Sequence, residues 1–542
     1  VKEPITVPLP IAQAFELAQH YHKSGRLHDA EVLYRRLLGA DPENILALHY
    51  LGVLAYQAGH YGPAIELIQR ALQRDPNYSD AYDNLGSALK AAGKTDEAIK
   101  AYRRAIELSP RSVNALKNLA IAYRDAGDLP QALAKYHEAL SIEPDNADIL
   151  SDLAHVFWNE GRHDDALPLA RRAIAINPRN EKAFGNLGNA LNDLGHLDEA
   201  ISAFQSAIAI NPDIAGAHLN LGLCLLERGE LIQGWPEYEW RWKAQDDPKL
   251  RKPPAAPQWD GSPLVGKTLV LHTEQGLGDA IQFVRYLPMV LRRAGLGPES
   301  SERDGSVCIE CHPQLVDLFE SLASRCTPRP AVFARGQAVP PYQWQCPLLS
   351  LPLIFQTTQE SIPADVPYLF PDPAAVRAWR NRLDACGPGL KVGLAWFGSP
   401  DHRRNRTRSL SLDQLAPLAQ VPNIQFISLQ KGPAAEQAKH PPQGLRLIDW
   451  SDEFSNFNDA ALIANLDLVL TIDTSIAHLA GALARPTWIM LAHPADWRWL
   501  RTRTDSPWYP TARLFRQPTR GDWTSVIHSI TTALSSLPPP SL

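Results

Sequence analysis

The strongest constraint on this chain is a spacing. Proline stands at 42, 76, 110, 144, 178 and 212, glycine at 25, 59, 93, 127, 161, 195 and 229, and alanine at 30, 64, 98, 132, 166 and 200. Each series advances by 34 residues, and all three keep one phase. A self-similar period of this length belongs to stacked supersecondary units, each too small to bury its own apolar face. Leu51, Leu85, Leu119, Leu153, Leu187 and Leu221 recur in the same phase and are the expected core. The glycine is expected at a tight turn between two helices, where a side chain would clash. The alanine marks close approach of the two helices, and the proline ends the second one. Seven such units fit 11–244.

Period and residue types together resemble the tetratricopeptide (TPR) repeat, a helical hairpin that stacks into an α-solenoid. That resemblance implies a surface for binding protein. The seventh repeat departs from the pattern: Gly234 stands where alanine is expected, and EYEWRW (237–242) is expected to replace the second helix. Trp235, Tyr238, Trp240 and Trp242 are too many aromatics for a solvated cap, so they are expected to dock on the next domain. A further column reads Asn84, Asn118, Asp152, Asn186 and Asn220, at the sixth position of successive first helices. A carboxamide both donates and accepts, so a row of them can clamp the backbone of an extended peptide. This column is similar to the asparagine ladder of the O-linked N-acetylglucosamine transferases, which carry TPRs ahead of a catalytic domain. The competing reading is local hydrogen bonding within the repeats.

After 244 the pattern changes. Residues 245–263 are proline-rich and aperiodic, which reads as a linker. Short β-rich runs then alternate with helical segments: TLVLH (268–272), VCIEC (307–311), KVGLAW (391–396), IQFISL (424–429), LDLVLTI (466–472) and TWIML (487–491). Alternation of this kind predicts parallel α/β packing. A proline-rich middle around 328–373 divides two clusters, so two Rossmann-like lobes are expected, over 264–373 and 374–542. Ligands bind such folds beyond the carboxyl ends of the strands. At one strand-to-helix junction, 271–283, Gly276 and Gly278 open a loop and Asp279 stands at or just before a helix start. The glycines would let backbone approach a ligand; the plainer role for Asp279 is an N-cap. At the other, 466–483, Asp473, Thr474 and Ser475 lead into a helix with His478 in its first turn. Exposed N–H groups and the helix dipole there suit a diphosphate.

The stretches DTSIAHLAGALARPTWIML (473–491) and TEQGLGDAIQFVRYLP (273–288) resemble glycosyltransferase family 9, the ADP-heptose transferases and their relatives. The likeness covers most of 266–535. It is closer still to bacterial proteins that join TPRs to such a domain, which share GLAWFGSPDHRRNRTRSLSL (393–412), SLQKG (428–432) and a DWRWL…SPWYPTARLFRQ segment (496–517). The resemblance implies a GT-B fold and an inverting, metal-independent glycosyltransferase. It implies Asp279 as catalytic base. It also implies a donor site built from Gly276, Gly278, Arg403, Arg404, Arg406, Lys431, Asp473, Thr474, Ser475 and His478. The donor is a nucleotide sugar used as substrate, and no cofactor is implied. Several basic residues in 403–408 stand where the heptose enzymes have a single lysine. Two rivals remain: a TPR adaptor with a non-catalytic GT-B-like domain, and a transferase that extends glycans.

Other signals are weaker. Cys308–His312 matches a c-type haem pattern but falls in an expected strand, and Cys308, Cys311, Cys326 and Cys346 lack zinc spacing. A net charge of -6 gives no general pull toward nucleic acid. No stretch reaches the roughly 20 apolar residues of a transmembrane helix. VKEPITVPLP lacks a signal-peptide core, and six cysteines in 542 residues form no disulfide scaffold. A cytoplasmic location is the expectation.

Overall fold

The computed structural model describes residues 11–244, 253–300, 304–400, 405–454 and 459–537. The chain divides into two compact units, Val1–Ala190 and Leu191–Leu542.

The first unit is a row of antiparallel helical hairpins. Ile11–Lys23 pairs with Leu27–Ala40, Ile45–Gln57 with Tyr61–Arg74, and Ser79–Ala91 with Thr95–Leu108. Val113–Asp125 pairs with Leu129–Ile142 and Ala147–Asn159 with His163–Ile176, and the helix Glu181–Asp193 follows. The turn glycines have φ from 75° at Gly161 to 90° at Gly229. The expected clash is corrected here: a Cβ at Gly25, Gly59, Gly93, Gly127 or Gly161 would meet nothing within 4 Å. Glycine is needed for the left-handed backbone, which costs another residue roughly 1–2 kcal/mol. Close approach falls on the helices instead, where a Cβ on Gly52 would lie 2.6 Å from Ile68 Cγ1 and 3.2 Å from the Ala64 carbonyl. The alanine column is buried.

The second unit begins with the helices Leu197–Ile210, Ala215–Arg228 and Leu231–Tyr238. The second helix of the seventh repeat therefore survives for eight residues and runs into a 3₁₀ turn, Glu239–Trp242. Trp235 and Tyr238 join Trp259, Phe283, Tyr286, Trp497 and Trp508 in one core, as docking requires. Trp240 does otherwise: it stacks on His218 of its own repeat, ring centroids 3.8 Å apart.

Two parallel sheets complete the unit. The first holds β1 (Thr268–His272), β2 (Ser306–Cys311), β3 (Ala331–Ala334) and β4 (Trp344–Pro347) in the order β3-β2-β1-β4. The second holds β5 (Leu390–Ala395), β6 (Ile424–Ser428), β7 (Leu447–Ile448), β8 (Leu468–Ile472), β9 (Thr487–Leu491) and β10 (Ala512–Arg516) in the order β10-β9-β8-β5-β6-β7. The proline-rich middle thus contains β3 and β4, both edge strands, where proline is tolerated. Residues 245–252 of the expected linker lie outside the described residues. Its remainder pairs with the free edge of β4: Trp259 N donates to Gln345 O at 2.8 Å, and Gln345 N to Pro257 O at 3.1 Å. Cys308 and Cys311, an odd number of positions apart on β2, point to opposite faces. Burial pushes both thiols up to about 12.

Candidate active site

The order of strands locates a crevice in each sheet. Chain order reverses between β1 and β4 in the first and between β5 and β8 in the second. Beyond the carboxyl ends of such strands the connecting loops part and leave room for a ligand. The ends of β1 and β8 carry the two junctions singled out from the sequence.

Those junctions meet. The helix Leu277–Phe283 packs on the helix Ser475–Ala482. A Cβ on Gly278 would lie 2.9 Å from His478 Cδ2 and 3.5 Å from Ser475 Cα. Gly278 therefore serves helix contact rather than backbone approach to a ligand. Gly276 is the open one, with only Asp279 Oδ2 at 3.3 Å from a hypothetical Cβ. The helix starts at Leu277 with Gly276 as N-cap, so Asp279 is not the N-cap but sits three residues further in. Its Oδ2 accepts from Gly276 N at 3.0 Å.

Asp279 Oδ1 is paired with Arg498 Nη2 at 2.5 Å. Arg498 also donates to Asp496 Oδ1 at 3.0 Å and to Gln282 Oε1 at 2.8 Å, and it lies over the Trp497 ring. Burial raises the Asp279 carboxyl, and the Arg498 guanidinium pulls it down. Asp473 is raised as well, by burial and then by the neighbouring Asp496 charge.

Thr474 caps the helix Ser475–Ala482, its side chain accepting from Ile476 N. His478 is 5% exposed, stacks on Trp499, and shares a 2.9 Å hydrogen bond between Nδ1 and the Tyr509 hydroxyl. Burial, with Arg498 as the next cause, pushes its imidazole down to about 3, so it is neutral at pH 7.

Arg403 and Arg404 lie outside the described residues. Of the basic stretch after β5, Arg406 is exposed, while Arg408 turns inward and donates from Nη1 to the Asp473 carbonyl at 3.0 Å. Lys431, after β6, donates to the fully buried Asp459 at 2.9 Å. Gln430 ties the β5 and β6 exit loops together: its Oε1 accepts from Trp396 N and Phe397 N, and its Nε2 donates to the Phe397 and Lys431 carbonyls. Sequence alone assigned no role to Arg498, Asp496, Gln282 or Gln430, whereas Arg408 falls in the basic stretch 403–408 that it singled out. The only signal for the other four was membership of the resembling stretches: Gln282 in TEQGLGDAIQFVRYLP, Gln430 in SLQKG, and Asp496 and Arg498 in DWRWL.

The column in the repeats is half-buried and spoken for on one side. Asn84 Nδ2 lies 2.8 Å from His49 Nε2, Asn118 Nδ2 donates to Asp83 Oδ1 at 2.9 Å, and Asn186 Nδ2 donates to the Ser151 carbonyl at 2.9 Å. Each bond reaches back 35 residues into the preceding repeat. Asp152 is raised by burial, and Asn220 is engaged in an interaction of its own. Local hydrogen bonding is thus a real use of the carboxamide N–H groups.

Models of the tetratricopeptide repeat match residues 21–89, 84–147, 117–181, 151–213 and 186–231. Residues 21–231 are tetratricopeptide repeats. They form a helical solenoid suited to protein interaction, ahead of an α/β region with two parallel sheets. Protein FlbA of Caulobacter vibrioides is 32% identical over 326 residues, which cover 56% of this chain and 52% of that protein. The chain therefore spans about half the length of that relative. Among solved structures, a thermophilic TPR protein of Thermus thermophilus is 25% identical, covering 34% of this chain and 100% of that one, with a TM-score of 0.31. The MamA protein is also 25% identical, covering 32% and 94%, with a TM-score of 0.28. Among the described residues no helix is long and apolar enough to cross a membrane, and no group of three His, Cys, Asp or Glu is placed to hold a metal ion.

Proposed function

We propose that this chain is a nucleotide-sugar-dependent, inverting glycosyltransferase of the GT-B type whose repeats bind a protein acceptor. The observation that carries the reading is the meeting of the two junctions: Gly278 rests on Ser475 and His478, which brings the Asp279 helix start against the helix start after β8. The donor diphosphate binds at the amino end of Ser475–Ala482, where the helix dipole favours an anion. Arg408 reaches that end by donating to the Asp473 carbonyl. Asp279 takes the proton of an acceptor hydroxyl as its oxygen attacks the anomeric carbon, and the nucleoside diphosphate leaves with the bonding electrons. His478, neutral and held by Tyr509, shapes the site rather than carrying charge. The repeat groove selects the acceptor, through the carboxamide oxygens of Asn84, Asn118 and Asn186.

One observation favours a scaffold instead. Both Asp279 oxygens are already engaged, by Arg498 and by Gly276 N. A scaffold would keep that pair intact and turn nothing over. A thermal-shift panel of nucleotide sugars separates the two, because a ligand at about 100 times its Kd stabilises the folded state by roughly 2.7 kcal/mol. A rise in melting temperature with one nucleotide sugar, together with release of its nucleoside diphosphate, is expected. No shift and no turnover with any of them would leave the scaffold.

A further inference from the structure

The terminal repeat reaches the candidate site from behind, all within the second unit. Tyr238 donates its hydroxyl to Gln275 Oε1 at 3.2 Å. Arg241, 3% exposed, contacts Glu274 Oε1 at 3.3 Å and donates to Ser350 Oγ at 2.7 Å. Glu274 and Gln275 are consecutive residues of the loop between β1 and the helix that carries Asp279. The same repeat also touches the other partner of the ion pair. Trp235 meets Trp497 edge-on at 5.5 Å, Tyr238 lies 6.3 Å from the same ring, and Trp497 immediately precedes Arg498. Trp235 is fixed in turn by a 2.9 Å hydrogen bond from Nε1 to the Thr357 carbonyl.

We propose that residues 235–241 position the Asp279–Arg498 pair, so that the last repeat is part of the reacting site and not a separable binding module. Tyr238 and Gln275 are positioning residues, acting through the loop that sets the height of Asp279. An expected docking surface needs only apolar cover. Here the repeat instead spends a hydroxyl and a buried guanidinium on two successive loop residues. The kinetic arm of the test rests on the glycosyltransferase reading; the exchange arm does not.

The test uses the full chain with Tyr238→Phe, Gln275→Leu and the double variant. Amide hydrogen exchange by mass spectrometry reads the segment 273–280, with β9 as the control for general stability. Loss of one hydrogen bond is expected to speed exchange of 273–280 by about five-fold and to leave β9 unchanged. Donor hydrolysis is expected to lose kcat by a similar factor, with the donor KM unchanged. The double variant should be no worse than the worse single one, because both act through one bond. Unchanged exchange in 273–280, equal acceleration in β9, additive variants, or faster exchange with unaltered kcat would each overturn the proposal. A wild type that turns over no donor would defeat the glycosyltransferase reading alone and leave exchange to decide whether the repeat holds the loop.

Discussion

Asp279→Asn is a sharper perturbation than its similar size suggests. Two donors converge on the native carboxylate: Arg498 Nη2 at 2.5 Å on Oδ1 and Gly276 N at 3.0 Å on Oδ2. A carboxamide has one oxygen. If that oxygen faces Arg498, its NH2 opposes the Gly276 N–H; if it faces Gly276, the NH2 opposes a guanidinium. One partner is lost either way, and a hydrogen bond to a charged group is worth about 1.5–3 kcal/mol. Arg498 retains Asp496 and Gln282, so the loss should fall in the lower half of that range. Urea unfolding followed by far-ultraviolet circular dichroism measures it. If Asp279 is also the base, donor hydrolysis should fall by roughly 10²–10⁴-fold, with donor affinity by calorimetry nearly unchanged. A stability loss with near wild-type hydrolysis would reduce Asp279 to a cap and ion-pair partner and refute its catalytic role. An unchanged unfolding midpoint would refute the geometry itself.

Gly278→Ala should destabilise by about 1–2 kcal/mol and weaken nucleotide-sugar binding, because the added methyl meets an imidazole pinned by Tyr509 and Trp499. Gly276→Ala, whose methyl meets only the end of Asp279, should be nearly neutral in the same thermal melts. Glu274 is fully buried, and burial raises its carboxyl to about 7 despite Arg241. Its folded form therefore holds a proton that the unfolded chain has released, so stability should fall from about pH 4.5 to about pH 7. Glu274→Gln should flatten that part of the profile; an identical slope in both proteins would contradict the burial argument. Replacing Asn84, Asn118 and Asn186 together by Ala should cost on the order of 1 kcal/mol for each bond to the preceding repeat, read by urea unfolding. If the column also clamps a peptide, use of a protein acceptor should fall while donor hydrolysis is spared.

The repeats were legible because they repeat. Seven glycines in one phase pointed to seven turns, and seven left-handed turns are present. At five of the seven the space beside the turn is empty and only the left-handed backbone calls for glycine, and φ is not visible in a residue name. The six strands read from β-rich runs are all present. β3, β4, β7 and β10 were missed: AVFA, WQCP, LI and ARLFR are too short or too mixed to signal a strand apart from their neighbours in the sheet.

The candidate site divides along the same line. Thr474 as a helix cap, and the glycines before Asp279, follow from local chemistry that a few adjacent residues declare. The Asp279–Arg498 pair does not: its members are 219 positions apart, and the arginine stands in a tryptophan-rich turn that reads as core. Tertiary packing brings them together: Gly278, lacking a side chain, lets the Asp279 helix rest on His478, which stacks on Trp499 next to Arg498. The same holds for Tyr238 and Gln275, whose bond exists only because a truncated repeat lies against the first sheet's exit loop. Local grammar therefore names groups with the right chemistry, and tertiary packing decides which of them meet. In this chain it hands the proposed base an arginine, and hands the loop before that base a tyrosine from the last repeat. A base paired with an arginine 219 positions away cannot be altered alone. That is why Asp279→Asn must be read in stability and in rate together.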